Sequence, residues 1–234
     1  SDALRAEPST DAIATRALHL LSEQIGLDRC YLAEYQLEAD HADITHQVGN
    51  DRVPPLPTGG IRLSDFPEAF RVALDRTLAI NDFTETEGLS DTDRRNIGVL
   101  GLRALVAATL RQGEQHPHWA LVAVSATPRR WTPGDIRLVE EVAERTWAAM
   151  ERAKAEEALR ESEAKYAALF AASPMPFLVL APNAPDYTIT AANDAYLTAT
   201  LNTRATLIGR RLFDVFPDDP AWPGQLGSEA LAVS

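Results

Sequence analysis

The sequence predicts an α+β fold in which helices flank an antiparallel sheet, followed by one long helix and a second, shorter α+β segment. Three observations lead to this prediction. Apolar runs of strand length occur at 102–111 and 119–127, with glycine, proline and charged residues between them. Apolar residues at helical spacing occupy the N-terminal region. No glycine or proline lies between Gly134 and Pro174, so one continuous helix can form there.

The first predicted element is an amphipathic helix over residues 10–25. Ser9 or Thr10 is available as its N-cap, and Gly26 is placed to end it. The spacing of three and four between apolar positions puts them on one face. These positions are Ile13, Ala17, Leu20, Leu21 and Ile25.

Three strands are predicted before the two central ones. An aromatic and apolar run covers 29–35, and residues alternate between apolar and polar at 44–48. We expect these two strands to form a hairpin through residues 38–41. A third apolar run, at 78–83, predicts another strand.

Two shorter helices are predicted between these strands. Proline is tolerated in the first turn of a helix, so Pro67 indicates a helix start. Phe66, Phe70 and Leu74 would then share one face of this helix. The segment from Ser90 to Asp93 resembles a capping box that opens a second helix, which Gly101 would close.

The long helix is predicted to begin at Pro133 and to continue to Ala172. Thr132 supplies a cap and Asp135 a carboxylate three residues later. We interpret its apolar pattern as a coiled coil through which the chain forms a homodimer, with a phase slip near Glu156. The first seam comprises Val139, Val142, Thr146, Ala149 and Ala153, and Leu159, Tyr166 and Leu169 continue it in a shifted phase.

A second α+β segment follows this helix. Residues 177–181 and 187–192 are predicted to pair as short strands, and helical segments begin near Asn193 and Thr203. We expect this domain to continue beyond the chain. The first residue, Ser1, is not methionine, which indicates an excised fragment.

The order of elements over residues 10–150 resembles that of the GAF domain, which has an antiparallel sheet with a small-molecule pocket on one face. The closing strands and helix are similar to those of GAF domains in sensor histidine kinases. The stretches that carry this resemblance are Leu102-Arg103-Ala104-Leu105-Val106-Ala107, Arg129-Arg130-Trp131-Thr132-Pro133-Gly134-Asp135 and Arg145-Thr146-Trp147-Ala148-Ala149.

The remaining chain resembles a signalling helix, residues 132–172, that leads into the N-terminal part of a PAS domain, residues 173–234. A glycine that PAS domains usually have near Leu201 and Asn202 is missing. The similar stretches are Leu159-Arg160-Glu161-Ser162-Glu163-Ala164-Lys165-Tyr166-Ala167-Ala168-Leu169-Phe170, Asn193-Asp194-Ala195-Tyr196-Leu197 and Leu207-Ile208-Gly209-Arg210-Arg211-Leu212-Phe213-Asp214-Val215-Phe216-Pro217.

The GAF resemblance implies a pocket between the sheet and the helices near Phe66 and Phe70. Tyr35, Asp82 and Arg103 are the candidate polar contacts to a small-molecule ligand in that pocket. The sequence leaves open whether the pocket is empty or filled by side chains.

This sequence lacks the residues that several known chemistries of GAF and PAS domains require. GAF domains that bind bilins use a cysteine beside a histidine, whereas Cys30 is flanked by Arg29 and Tyr31. Methionine sulfoxide reductases of this family need several cysteines, and Cys30 is the only one. The stretch from Asn81 to Phe83 lacks the lysine and acids of cyclic-nucleotide GAF domains. The PAS-like segment has no cysteine for a flavin and no histidine for a haem.

No catalytic, cofactor or metal motif is evident in the sequence. There is no glycine-rich phosphate loop and no recognisable nucleophile, histidine and acid set. His116 and His118 lie close together, but further ligands for a metal are not identifiable, so we interpret them as solvated loop residues. His46 shares a strand face with Ile44 and Val48, and a hydrogen bond to a ligand there is the less favoured alternative to packing.

Charge and composition limit the partners. With a formal net charge of −12, the chain lacks the excess of basic residues that would bind nucleic acid or an anionic membrane. No apolar run approaches the roughly 20 residues that span a bilayer. A single cysteine cannot form an internal disulfide, which fits a reducing cytoplasm.

Together these features predict the sensory input region of a bacterial two-component sensor histidine kinase. Binding of a small molecule or partner at the GAF-like domain would act through the dimeric helix on PAS and kinase domains. The fragment itself has no catalytic residues, and the resemblance implies that the full-length protein is a histidine kinase. The alternative is a ligand-free dimerisation module of another signalling protein, such as a diguanylate cyclase or phosphodiesterase.

Overall fold

The computed structural model describes residues 9–57, 59–110 and 119–217. It divides into two compact units, Ser1–Glu156 and Glu157–Ser234. The predicted connection at 112–118, with His116 and His118, lies outside the described residues, as does the last part of the PAS-like segment, 218–234. Within the described ranges, no helix combines the length and apolarity needed to cross a bilayer.

Six strands make the sheet of the first unit. They are β1 (Arg29–Gln36), β2 (His41–Gly49), β3 (Ile61–Arg62), β4 (Leu78–Ile80), β5 (Ala104–Leu110) and β6 (Trp119–Ser125). Their spatial order is β3-β2-β1-β6-β5-β4, and every neighbouring pair is antiparallel. This confirms the predicted antiparallel sheet and its hairpin of β1 and β2. The two strands expected to be central, β5 and β6, do pair with each other, but β1 and β6 occupy the middle of the sheet and β5 lies next to the edge strand β4.

The described helices of the first unit are α1 (Thr10–Ile25), α2 (Pro67–Asp75), α3 (Asp91–Val99) and α4 (Pro133–Ala172), the last of which continues into the second unit. The bounds of α1 and the starts of α3 and α4 lie where the capping residues of the sequence predict them. Ser9 Oγ accepts a hydrogen bond from the Ala12 amide, and Gly26 ends α1 with φ 62°, a left-handed conformation that glycine adopts without strain. The predicted capping box at the start of α3 is present.

Two separate apolar clusters lie on the two faces of the sheet, because successive side chains of a strand point to opposite faces. On β1, Cys30 and Leu32 face α1 and α4, whereas Tyr31 and Ala33 face α2 and α3. The same alternation holds on β5 and β6. The sheet therefore separates a helix-packing face from the face that carries the predicted pocket.

Asp28, immediately before β1, ties two loops to the sheet. Its carboxylate accepts hydrogen bonds from Asn50 Nδ2 at 3.0 Å and from the Ala126 amide at 2.9 Å. Burial raises the pKa of Asp28, but these hydrogen bonds and the nearby Arg52 charge outweigh burial and hold the pKa below its ordinary value of 3.8.

In its described part, up to residue 217, the second unit contains the end of α4, two paired strands and three short helices. These are β7 (Leu178–Leu180), β8 (Ile189–Ala192), α5 (Asp194–Thr200), α6 (Arg204–Leu207) and α7 (Leu212–Val215). Asn193 is fully buried and organises the connection from α4. Its side chain caps α5 through the Tyr196 amide, accepts from the Phe177 amide and donates to the carbonyls of Ser173 and Met175.

Two sequence-based predictions need correction. The strand expected at 78–83 ends at Ile80, because the Asn81 side chain accepts a hydrogen bond from the Trp131 amide and the chain leaves the ladder. Two members of the expected coiled-coil seam, Val139 and Thr146, are 0% and 4% exposed. Val139 packs in the cluster between α4 and the chain's own sheet, so neither residue is available to a second copy.

Candidate ligand-binding site

A cavity of about 70 Å³ lies between the sheet and the helices α2 and α3. Aromatic and aliphatic side chains from β1, α2, β4 and β5 line it. Three of the five residues predicted to bind a ligand are among them, namely Tyr35, Phe66 and Phe70. The Phe70 and Tyr35 rings pack edge to face, with their centres 5.3 Å apart. These two side chains therefore also determine the volume of the cavity.

Tyr31 also lines the cavity, although the sequence patterns single out only Tyr35. The two residues are four apart on β1 and therefore share a face, which is the signal that could have identified Tyr31. Burial raises the pKa of Tyr31 and raises that of Tyr35 to about 12. Both hydroxyl groups are therefore neutral at physiological pH, and each can donate a hydrogen bond.

The other two predicted contacts, Asp82 and Arg103, are not among the residues that line the cavity. They pair with each other, with Arg103 Nε 2.8 Å from Asp82 Oδ1. The hydrogen bond from Arg103 lowers the pKa of Asp82. The Arg103 guanidinium also lies 5.6 Å from the Phe83 ring, which packs against the cluster around the cavity. Their role as ligand contacts stays a prediction, and the observed role of the pair is to fix the loop after β4.

Cys30 is on the opposite face of the sheet from the cavity. Its thiol donates to the Leu18 carbonyl at 3.2 Å, and burial raises its pKa to about 12. A thiol in this environment is a packing group and not a nucleophile. In the part of the chain that the structure describes, no cluster of histidine, cysteine and acidic residues could hold a metal ion. His46 contacts Asp11 Oδ1 at 3.1 Å and does not line the cavity.

Four hydrogen bonds connect the cavity's edge strand to α4 and the segment before it. Leu78 of β4 lines the cavity, and its neighbours make these bonds. Thr77 Oγ1 donates to Glu140 Oε1 at 2.6 Å, and Trp131 Nε1 donates to the Ile80 carbonyl at 2.9 Å. The Trp131 amide donates to Asn81 Oδ1 at 2.9 Å, and the Arg129 amide to the Asn81 carbonyl at 2.9 Å. We call Thr77, Ile80, Asn81, Trp131 and Glu140 the β4–α4 latch.

Arg129 extends the latch to α1. Its guanidinium donates to the carbonyls of Ile25 and Gly26, at the C-terminal end of α1, at 2.7 and 3.0 Å. The same guanidinium lies 4.4 Å from the centre of the Trp131 ring. The start of α4, the end of α1 and the edge of the cavity therefore meet in one set of contacts.

These features define a type of domain in which a cavity on one face of an antiparallel sheet is connected to an exit helix on the other. The family model described as GAF domain matches residues 9–150, more than half of the chain. The chain belongs to the GAF domain family. A comparison with curated protein sequences finds no match.

Solved structures similar to this chain include photoreceptor domains. The blue-light absorbing form of the PixJ GAF domain of Thermosynechococcus elongatus is 17% identical, with a TM-score of 0.53 over 65% of this chain and 91% of that one. The far-red absorbing dark state of JSC1_58120g3 with bound biliverdin is 13% identical, with a TM-score of 0.54 over 64% and 94%. The bacteriophytochrome RpBphP3 of R. palustris is 14% identical, with a TM-score of 0.57 over 70% of this chain and 38% of that one. At these identities the similarity shows the fold alone.

The cavity does not fit a bilin. None of its lining residues is a cysteine or histidine, or carries a charge that could pair with a bilin carboxylate. Its volume of about 70 Å³ is also far below the roughly 300 to 1,000 Å³ of pockets that enclose drug-sized ligands. No step through such a chromophore follows from this site.

Proposed function

We propose that this chain is the sensory input region of a bacterial sensor histidine kinase, in which occupancy of the cavity acts on α4. The observation that carries the proposal is the β4–α4 latch. Leu78 of β4 lines the cavity. Thr77, just before β4, hydrogen-bonds to Glu140 of α4, and Asn81, just after β4, hydrogen-bonds to Trp131, which precedes α4. A ligand that moves Leu78 would thereby move the start of the exit helix.

The strand β4 is suited to such a movement. It has three residues, lies at the edge of the sheet and, among the strands that the structure describes, pairs with β5 alone. A short edge strand has few ladder hydrogen bonds to break, so a small displacement costs little compared with one in a central strand. The latch bonds are directional, and the displacement would reach α4 at Trp131 and Glu140.

The same proposal includes dimerisation through α4. The interface differs from the seam that the sequence predicted, because it lies in the C-terminal part of the helix. Leu159, Tyr166 and Leu169 are 60%, 68% and 59% exposed, an unusual exposure for three large apolar side chains on one helix. Their separations of seven and three residues place them on one face at heptad spacing. We call these three residues the apolar stripe. Ala149 and Ala153, which are half-buried, remain candidate contacts of the earlier seam.

The second unit supports the PAS part of the proposal by its order of elements, a strand pair followed by short helices. Asn193, at the start of the first of these helices, lies in the stretch that resembles PAS domains. The kinase context rests on the sequence resemblance, and a reducing cytoplasmic location rests on the single, unpaired Cys30.

A second candidate function is a ligand-free dimerisation module of a diguanylate cyclase, a phosphodiesterase or another signalling protein. The observation that favours it is the small volume that Phe66 and Phe70 leave in the cavity. This alternative requires the stripe but not the latch.

Hydrogen exchange of the full chain tests the coupling. Ala33 lines the cavity from β1, a strand that does not contact the latch, so Ala33→Val perturbs the cavity at a distance. We expect it to change amide protection over residues 129–145. The control is Ala12→Val, at an exposed position of α1.

The same measurement in a latch-deficient background completes the test. A Thr77→Val, Asn81→Ala chain lacks two of the four latch hydrogen bonds and keeps those to the Ile80 and Asn81 carbonyls. In this chain the effect of Ala33→Val on residues 129–145 should be smaller, while its effect on β1 remains. Unchanged protection of residues 129–145 in Ala33→Val alone would refute the coupling and favour the ligand-free module.

A further inference from the structure

The polarity of the cavity defines what it can accept. Among the described residues that line it, only Tyr31 and Tyr35 carry polar side-chain atoms, and none carries a charge. The other lining residues are alanine, valine, leucine, isoleucine and phenylalanine. The two tyrosines are 6% and 8% exposed and lie on the same face of β1.

We propose that the cavity binds a small uncharged organic molecule with an apolar body. The inference rests on the proposed function only in taking this cavity as the sensory site. Short hydrocarbons and short-chain alcohols have the required chemistry. The apolar body replaces water against the aliphatic and aromatic wall.

Charged ligands are excluded by the same lining. A carboxylate, phosphate or ammonium group enclosed there would lose its hydration without gaining an ionic partner, which is strongly unfavourable. The nearby guanidinium of Arg103 does not line the cavity and is already paired with Asp82. The net charge of −12 further opposes the approach of anions.

The volume limits the size of the ligand. A dry apolar cavity of about 150 Å³ is known to accept benzene, which has six carbon atoms. By proportion, the 70 Å³ here admits about three non-hydrogen atoms. Even the best tiny ligands gain a limited affinity per atom, so the dissociation constant is no tighter than about 0.5 mM. The signal would therefore be a compound present at high micromolar to millimolar concentration.

Titration of the full chain followed by methyl NMR tests the proposal. The probes are ethanol, formate and ethylammonium, which have equal numbers of non-hydrogen atoms and differ in charge. We expect ethanol to give saturable shifts in the methyl groups of Leu78, Leu105 and Val122, and the charged probes to give none.

Variants assign these shifts to the cavity. Ala73→Leu adds atoms where Ala73 lines the cavity and should abolish the shifts, and Ala107→Val provides a second filled cavity if Ala73→Leu does not fold. The control Ala148→Leu, exposed on α4, should leave them unchanged.

The outcomes separate this inference from the proposed function. The inference is overturned if ethanol gives no saturable shift, if formate or ethylammonium binds as well as ethanol does, or if the filled variants retain binding. Saturable binding of ethanol without any change in the signals of α4 supports the ligand class and counts against the coupling to that helix.

Discussion

Asp93 holds the N-terminal ends of two helices at once, so replacing it with alanine should destabilise the first unit strongly. Its side chain is 0% exposed. The carboxylate accepts from the Ser90 amide at 2.9 Å and from Ser90 Oγ at 2.6 Å, which caps α3. It also accepts from the amides of Glu68 and Ala69, each at 3.3 Å, in the first turn of α2.

The magnitude follows from these contacts. Loss of one helix cap costs about 1 kcal/mol, and each buried donor left without a partner costs about 1 to 3 kcal/mol. Because Asp93→Ala removes a cap from α3 and leaves two amides of α2 without a partner, we expect a loss of about 3 to 7 kcal/mol. The matched control is Asp91→Ala, at an exposed first-turn position of the same helix, which should cost no more than about 0.5 kcal/mol.

Chemical denaturation followed by tryptophan fluorescence measures this loss. Trp119 and Trp131 are buried in the first unit, so their emission reports its unfolding. The comparison requires an unchanged dependence of the unfolding free energy on denaturant concentration. A loss below about 1 kcal/mol for Asp93→Ala, or equal losses for Asp93→Ala and Asp91→Ala, would contradict the double-capping role.

Two further predictions concern pH and assembly. The lowered pKa of Asp28 stabilises the fold above pH 3.8, and this contribution is lost as the pH falls through the folded-state value. Asp28→Asn should therefore make the unfolding free energy less dependent on pH between about pH 5 and pH 2, and an unchanged pH profile would contradict this. Replacing Leu159 and Leu169 of the apolar stripe with aspartate should weaken dimerisation by about a hundredfold or more in sedimentation equilibrium. Ala164→Asp, outside the stripe, should leave the dimer intact, and dimers of equal stability in both variants would exclude the stripe as the interface.

Local signals made most helix boundaries predictable from the sequence. Gly26 ends α1 and the Ser90 to Asp93 box opens α3 because capping depends on residues within one turn. The second role of Asp93 was not predictable, since Glu68 and Ala69 are 25 and 24 residues away in the chain. The early end of β4 was unpredictable for the same reason. Asn81 leaves the strand pairing with β5 and accepts a hydrogen bond from the Trp131 amide, which is 50 residues away in the chain.

The apolar seam of α4 and the candidate ligand site could be predicted from the sequence only in part, for a different reason. Apolar residues at heptad spacing indicate that one face of α4 is covered, but not whether the chain's own sheet or a second copy covers it. Val139 faces the chain's own core, whereas Leu159 is exposed. In the site, Phe66 and Phe70 were predictable from their shared helical face, while the pairing of Asp82 with Arg103 depends on how β4 and β5 align.

The burial of the only cysteine makes this chain suitable for distance measurements by selective labelling. Cys30 is enclosed between α1 and the sheet, and raising its pKa from 9.0 to about 12 reduces its thiolate fraction about a thousandfold. A cysteine introduced at an exposed position, such as Ala148 or Ala164 of α4, would be the only thiol that reacts readily with a maleimide or nitroxide. Spin labels or dyes could then follow α4 in the otherwise native sequence, with no need to remove Cys30 first.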